Sequence, residues 1–154
     1  MKFFWVKLIR YLTSSKWIPA VVFSLSRKKC DFLAELASSA GLVLTTTTEQ
    51  HKISVFMKSQ IAKLDKEDQN LRQVLFATET FAVGVNMPAK TVVFEDISKF
   101  DGCSRRLLKP AEFIQMAGRA GRRGQDDCGI VLLLTGGHFP SEHDLNAMMM
   151  GKFT

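Results

Sequence analysis

The chain has 154 residues and is poor in the features that mark disulfide-rich and metal-binding proteins. Its three cysteines are an odd, scattered set without a Cys-x-x-Cys pair, so they predict neither a disulfide framework nor a zinc site. Reduced, intracellular thiols are the simplest interpretation. The three histidines are equally dispersed and predict no metal site. These residues are Cys30, Cys103, Cys128, His51, His138 and His143.

Long hydrophobic runs are absent as well. No run reaches the ~18 apolar residues of a membrane span, so no membrane association is expected. The N-terminus begins like a signal peptide, but Lys7 and Arg10 interrupt the apolar stretch and no small-residue cleavage site follows. A short helix that ends before Pro19 is therefore preferred. Its buried face is predicted to contain Phe4, Leu8, Tyr11 and Leu12.

The composition and the periodicity indicate one α/β domain. The chain is 46% hydrophobic and carries a formal net charge of +6, which suits a core of ordinary size and favours an anionic partner. Short apolar runs at residues 20–23, 74–77, 91–94 and 130–134 predict buried strands. Helical periods at residues 28–40, 49–64 and about 111–120 separate them, and residues 98–110 are predicted to be a loop. This alternation favours a parallel sheet flanked by helices.

Three polar segments adjoin the predicted strands. Residues 24–27 are rich in hydroxyls, residues 78–80 lead into the turn at 84–88, and residues 115–124 alternate arginine with glycine. Arginine offers a planar donor fork that fits phosphate oxygens, and glycine allows a close backbone approach. Because ligands of open parallel sheets lie beyond the carboxyl ends of strands, all three segments are expected at one edge.

These segments resemble helicase motifs. Residues 20–30 are similar to motif IV, residues 76–94 to motif V and residues 115–124 to motif VI of the Ski2-like DExH RNA helicases of superfamily 2. The C-terminal stretch 144–152 resembles the Ski2 branch more than the Mtr4 branch. The resemblance implies a RecA-like fold, the second of the two in such enzymes, over residues 20–154. Residues 1–19 would form an N-terminal helix and lead-in.

The resemblance also implies roles for single residues at an ATP site. Arg119 and Arg122 would reach the β- and γ-phosphates of ATP bound on the first RecA-like domain, with Arg122 as the arginine finger. Gln115 would sense the γ-phosphate and the attacking water. Gly84 and Asn86 would contact the ribose, although turn chemistry before a proline explains Asn86 equally simply.

An RNA site is implied by motifs IV and V. Ser24, Ser26, Arg27 and Thr78 match positions that hold the RNA backbone. Capping of a helix by Ser26 or Thr78 is the structural alternative. Two neighbours of the ATP site carry open alternatives too. Glu79 either orients the motif VI arginines or is a solvated acid. Arg123 is either a further, weaker motif VI candidate or an exposed arginine that pairs with Asp126 or Asp127.

Two departures from the family pattern limit the function. The chain has no Walker A loop and no DExH box, which hold ATP and Mg²⁺ on the first RecA-like domain, so the chain alone is expected to be inactive. Relatives also place a helix, a strand and a His-His-Ser/Ala-Gly motif before motif V. The chain omits this block near residues 72–75, which predicts the loss of a central strand and exposed strand edges.

Two functions follow from this pattern. The first is a part of an ATP-dependent 3′-to-5′ RNA helicase that works in the cytoplasm with Ski complex subunits and the exosome. The second is a non-catalytic fragment or splice product with weak, sequence-independent RNA binding.

Overall fold

The computed structural model describes residues 2–39, 74–84, 87–136 and 139–150. The predicted helix at 49–64 and Asn86 lie outside these ranges. The described elements, in chain order, are α1 (Lys2–Ser14), β1 (Ala20–Phe23), α2 (Arg27–Ser39), β2 (Val74–Ala77), α3 (Glu79–Gly84), β3 (Thr91–Phe94), β4 (Ser98–Phe100), β5 (Arg105–Leu107), α4 (Pro110–Ala117), β6 (Ile130–Leu133) and α5 (Glu142–Met150).

Four of the strands form one parallel sheet in the order β2-β1-β3-β6. The register is unshifted across the sheet, since Ala20 of β1 pairs with Val74 on one side and with Thr91 on the other, and Thr91 pairs with Ile130. The four predicted strands and the RecA-like α/β class are thereby confirmed. A parallel order needs crossover connections, and helices supply them between the described strands.

The alternation of side chains along the strands builds two cores. Val21, Phe23 and Phe94 face one side, where they pack against α3, α4 and α5. Val22 and Val93 face the other side, where they pack against α1 and α2. Both faces are covered, which explains why β1 and β3 are apolar along their whole length and fully buried.

The buried face of α1 differs from the prediction. Trp5, Ile9 and Leu12 are buried, whereas Phe4 and Tyr11 are 51% and 53% exposed. Aromatic and aliphatic residues occur on both sides of this helix, so its periodicity alone fits two phases. Packing against Phe76, whose ring centroid lies 6.1 Å from that of Trp5, selects the phase that buries Trp5.

The segment predicted as a loop contains an antiparallel hairpin, β4–β5. Each strand has only three residues and carries charged side chains, so neither resembles a buried strand. Ion pairs hold the hairpin on the sheet. Lys99 of β4 and Arg106 of β5 both bind the Glu112 carboxylate at the start of α4, at 2.6 and 2.9 Å.

The four strands of the sheet are contiguous, so the predicted loss of a central strand leaves no gap between them. They hydrogen-bond directly to one another, and among the described residues β2 and β6 form the two edges. Val74, Leu75 and Phe76 of β2 are only partly buried. Within the described ranges, none of the helices is long and apolar enough to cross a membrane.

Candidate functional site

The predicted site residues lie at two opposite edges of the sheet. Ser24 follows β1 and Thr78 follows β2, which places both at the carboxyl edge. The arginine-glycine run precedes β6 and is hydrogen-bonded to Ala89, just before β3, at the amino edge. The expectation of a single edge is therefore wrong. In a parallel sheet, a segment that precedes a strand lies at the amino edge. A segment that follows a neighbouring strand lies at the opposite, carboxyl edge.

At the carboxyl edge, Ser24 is part of the interior. It is fully buried, and its hydroxyl donates to the Glu95 carboxylate, with an oxygen-to-oxygen distance of 3.3 Å. Its Oγ also accepts the Ser26 N–H at 3.4 Å. These contacts fix the turn between β1 and α2. In this conformation the Ser24 hydroxyl is not at the surface, so its predicted contact with RNA would need a rearrangement of the turn.

Ser26, Arg27 and Thr78 are accessible at the same edge. Ser26 Oγ accepts the Lys29 N–H at 3.4 Å, which is the helix cap that the sequence allowed as an alternative. Thr78 precedes α3, and its hydroxyl lies 3.0 Å from that of Thr80. Arg27 and Thr78 line one open groove of ≈ 400 Å³. A guanidinium and two threonine hydroxyls in one groove suit a phosphodiester backbone.

Two of the acids at this edge are neutralised by ion pairs, whereas Asp31, which lines the groove with Arg27 and Thr78, forms no ion pair within the described residues. Lys29 binds Glu95 at 2.7 Å, and Lys99 binds Glu79 at 3.0 Å. No ion pair joins Arg27 or Lys28 to a carboxylate in the described part of the chain, and both side chains are exposed. The first turn of α2 therefore presents positive charge to solvent.

At the amino edge, the arginine-glycine run is built on tight backbone packing. The Ala89 N–H donates to the Arg119 carbonyl, and the Gly121 N–H donates to the Ala89 carbonyl at 2.7 Å. Gly121 has a φ of +86°, which other residues adopt only with strain. A Cβ on Gly129 would lie 2.5 Å from the Ala120 carbonyl carbon and oxygen. These two glycines are thus required by the fold itself.

Arg122 is held by Asp126 through a bidentate pair. The Arg122 Nε and Nη2 lie 2.8 and 3.0 Å from the carboxylate oxygens, and the Arg122 backbone N–H donates to the same group. The Arg122 guanidinium holds the pKa of Asp126 at about 2, and the pair raises the pKa of Arg122. Asp126 takes two of the five side-chain N–H groups of Arg122, and the Nη1 side of the fork points away from that pair.

The predicted pairing of Arg123 is wrong, because Asp126 pairs with Arg122 and no ion pair joins Arg123 to Asp127 within the described residues. Arg123 is exposed. Arg119 is partly buried, and its guanidinium donates to the Ala82 carbonyl of α3. Gln115 lies one turn before Arg119, on the exposed side of α4.

The helix α3 contacts residues of both edges. It begins beside Thr78 at the carboxyl edge, and its Ala82 carbonyl accepts a hydrogen bond from the Arg119 guanidinium. Glu79, in its first turn, bonds to Lys99 of the hairpin. Glu79 is therefore not a solvated acid. It forms an ion pair that links α3 to β4.

Glu112 is the residue that sequence reasoning missed. Its carboxylate accepts hydrogen bonds from Lys99, from Arg106 and, at 2.7 Å, from the Lys109 backbone N–H. The Arg106 guanidinium, with Lys99 and the Lys109 N–H, holds the pKa of Glu112 at about 2. The Pro110 at the first helical position and the acid two residues later are a helix-start signal that could have located it.

The arginine fork suits the phosphates of ATP, whereas a magnesium site is not evident. Mg²⁺ needs several oxygen ligands, and no cluster of three or more carboxylate, histidine or cysteine side chains lies within the described residues.

Comparisons with known proteins identify the family of the chain. Residues 5–124 match the family model of the helicase conserved C-terminal domain. The chain is 40% identical to Superkiller complex protein 2 of Mus musculus over 96% of its length, and 35% identical to the antiviral helicase SKI2 of Saccharomyces cerevisiae over 84%. It is 34% identical to the ATP-dependent RNA helicase mtr4 of Schizosaccharomyces pombe over 83%.

The chain is a helicase C-terminal domain of the RecA-like α/β class. More narrowly, it belongs to the Ski2-like DExH helicases. It spans only 15%, 13% and 15% of the lengths of the mouse, budding yeast and fission yeast relatives.

Proposed function

We propose that this chain is part of an ATP-dependent RNA helicase and supplies two of its contacts. The carboxyl edge grips the RNA backbone through Arg27, Ser26 and Thr78. The amino edge offers Arg119 and Arg122 to ATP held by a first RecA-like domain, which also holds Mg²⁺. The observation that carries the proposal is the bidentate Arg122–Asp126 pair, because it orients one arginine fork at the edge of the sheet.

The remaining family features follow as parts of the same proposal. Translocation runs 3′ to 5′, the enzyme feeds RNA to the exosome in the cytoplasm, and Ski complex subunits are its partners. Gln115, Gly84 and Asn86 act with the two arginines on the nucleotide. The relatives support the helicase role itself, since one is named an antiviral helicase and another an ATP-dependent RNA helicase.

The alignments support an internally shortened domain. The match to the mouse relative spans 185 positions, but 96% of 154 residues is only about 148, so about 37 positions of the match have no residue in this chain. The budding yeast match shows a similar excess, with 167 positions for 84% of the chain. This shortfall favours the second candidate function, a non-catalytic fragment or splice product that binds RNA without hydrolysing ATP.

RNA binding by the purified chain tests the grip at the carboxyl edge. Fluorescence anisotropy with a labelled single-stranded RNA should show affinity that falls steeply between 50 and 200 mM salt, because phosphate contacts release counterions. Arg27→Ala should weaken binding about five-fold or more, since charge-assisted contacts contribute about 1.5–3 kcal/mol. The matched control is Arg123→Ala, an exposed arginine at the opposite edge. Equal losses in both variants would refute the assignment.

ATP hydrolysis separates the chain from the whole enzyme. The chain alone should show no RNA-stimulated turnover, because it contains no Walker A loop. Turnover by the purified chain that disappears in Arg122→Ala would overturn this expectation. Coding sequence upstream that contains a Walker A loop and a DExH box would favour the enzyme over the fragment.

A further inference from the structure

The outer face of α1 combines aromatic rings with positive charge. Phe3, Phe4 and Tyr11 are 71%, 51% and 53% exposed. At 100° per residue they share one side of the helix with the exposed Lys7 and Arg10, opposite the buried residues. The helix contains no acidic residue. The Phe4 ring packs edge to face on Trp5 and the Tyr11 ring on Trp17, but about half of each side chain stays exposed. The proposed grip at the carboxyl edge does not use this face.

A row of rings connects this face to the groove at the carboxyl edge. The Phe4 and Trp5 ring centroids lie 5.8 Å apart, and those of Trp5 and Phe76 lie 6.1 Å apart, both edge to face. Phe76 is the third residue of β2, and it lines the groove together with Arg27 and Thr78. The Trp5 ring, which is only 4% exposed, therefore links the exposed Phe4 ring to Phe76 at the groove.

The direction of α1 places these rings at the same edge as the groove. The carbonyl of Trp17, just after α1, accepts the Thr91 hydroxyl at the amino end of β3, at 2.6 Å. The C-terminal end of α1 is thus near the amino edge. A helix of 13 residues is about 20 Å long, so its first turn lies toward the carboxyl edge.

We propose that Phe3, Phe4 and Lys7 form a stacking platform for single-stranded RNA that continues beyond the groove of Arg27 and Thr78. This proposal rests on the proposed RNA grip and extends it from backbone contacts to bases. Every base has a π-face, so exposed rings bind single strands without regard to sequence. The Lys7 Nζ lies 4.3 Å from the centroid of the Phe3 ring, which steadies the ring and leaves the ammonium exposed for a phosphate.

The positive charge of this surface favours a nucleic acid over an apolar partner. An apolar partner would gain nothing from the two exposed cations beside the rings and would have to desolvate them. A polyanion gains from both parts at once. The cations of α1 are also followed along the same edge by Arg27 and Lys28, which are exposed at the start of α2.

Two lengths of labelled oligouridylate test the platform. An oligonucleotide of about 5 residues should fill only the groove, and one of about 15 should reach both surfaces. Phe3→Ala and Phe4→Ala should weaken binding of the long oligonucleotide about five-fold or more and leave the short one unchanged. Lys7→Gln should reduce the dependence of log affinity on log salt by about one.

Two further variants serve as matched controls. Phe139→Ala removes an aromatic side chain that is 73% exposed and follows β6, so it should bind both oligonucleotides like the unaltered chain. Phe4→Trp should retain the affinity for the long oligonucleotide, because indole stacks at least as well. Thermal melts of each variant verify folding, which exposed rings should not affect.

The outcomes distinguish the two proposals. If the unaltered chain binds the long RNA and Arg27→Ala weakens it, while Phe3→Ala and Phe4→Ala do not, the platform is refuted and the grip stands. If the unaltered chain binds neither length, both are refuted. Equal losses for Phe4→Ala and Phe139→Ala would also overturn the platform.

Discussion

Replacing Glu112 by Gln should destabilise the domain more than the same change at an exposed acid. The Glu112 carboxylate joins Lys99 of β4, Arg106 of β5 and the Lys109 N–H at the start of α4. Glutamine keeps the shape and one carbonyl oxygen but has no charge. The hairpin and α4 would therefore lose their shared anchor, although Lys99 would keep its contact with Glu79.

The magnitude follows from the pKa of Glu112. Its hydrogen bonds with Arg106 and Lys99 lower the pKa from 4.5 to about 2. Each pKa unit corresponds to about 1.4 kcal/mol, and the side chain is only 17% exposed, so the free energy of unfolding should fall by about 3 kcal/mol at most. Residual bonding by the amide makes about 2 kcal/mol the expected loss at neutral pH.

The sign of the pH dependence follows from the same shift. Because the pKa is lower in the folded state, the unfolded state binds the proton first as pH falls. The contribution is fully present above pH 4.5 and is lost between about pH 4.5 and pH 2. Glu112→Gln should remove this part of the acid sensitivity and leave the part that comes from Asp126.

Urea unfolding followed by circular dichroism at pH 7 and at pH 3 measures both effects. The matched control is Glu142→Gln, which alters an exposed acid in the first turn of α5 and so includes the same helix-dipole contribution. The reasoning fails if both variants lose equal stability at pH 7. It also fails if Glu112→Gln retains the acid sensitivity of the unaltered chain.

Other substitutions test the amino edge. Asp126→Asn should lower the free energy of unfolding by about 2 kcal/mol, because it removes a charge from the bidentate pair with Arg122. Urea unfolding at neutral pH measures this loss. An unchanged free energy of unfolding would contradict the pairing. Gly129→Ala should cost about 3 kcal/mol or more, since its Cβ would lie 2.5 Å from Ala120. Gly124→Ala, where the φ is +76° but no atom lies within 4 Å, should cost only about 1–2 kcal/mol, and a reversed order of the two melting temperatures would refute the packing argument.

The sheet could be predicted from the sequence because its strands are short, apolar and rich in β-branched residues. Buried parallel strands have to satisfy both faces at once, and few other structures permit such runs. The hairpin β4–β5 could not be predicted in this way. Its strands are stabilised by ion pairs with Glu112, a partner that follows in the sequence and whose role depends on the tertiary fold.

Motif resemblance predicts Arg119, Arg122 and Thr78 as site residues, and their roles stay predictions. It did not predict how these residues are arranged in space. It did not indicate that Ser24 would be buried against Glu95, because the orientation of a turn depends on packing. The assumption of one edge failed for a simple topological reason, since Arg122 precedes its strand and Thr78 follows its own.

The pair of backbone hydrogen bonds at Ala89 has a mechanical consequence. They join the residues just before β3 to the segment that carries Arg119. Neither segment can therefore move independently without breaking these two hydrogen bonds at the end of the sheet. A glycine-rich run usually suggests a flexible hinge. Here Gly121 and Gly129 instead allow two backbone segments to pack closely against each other. The backbone around Arg119 should therefore move together with the sheet and not as a separate loop.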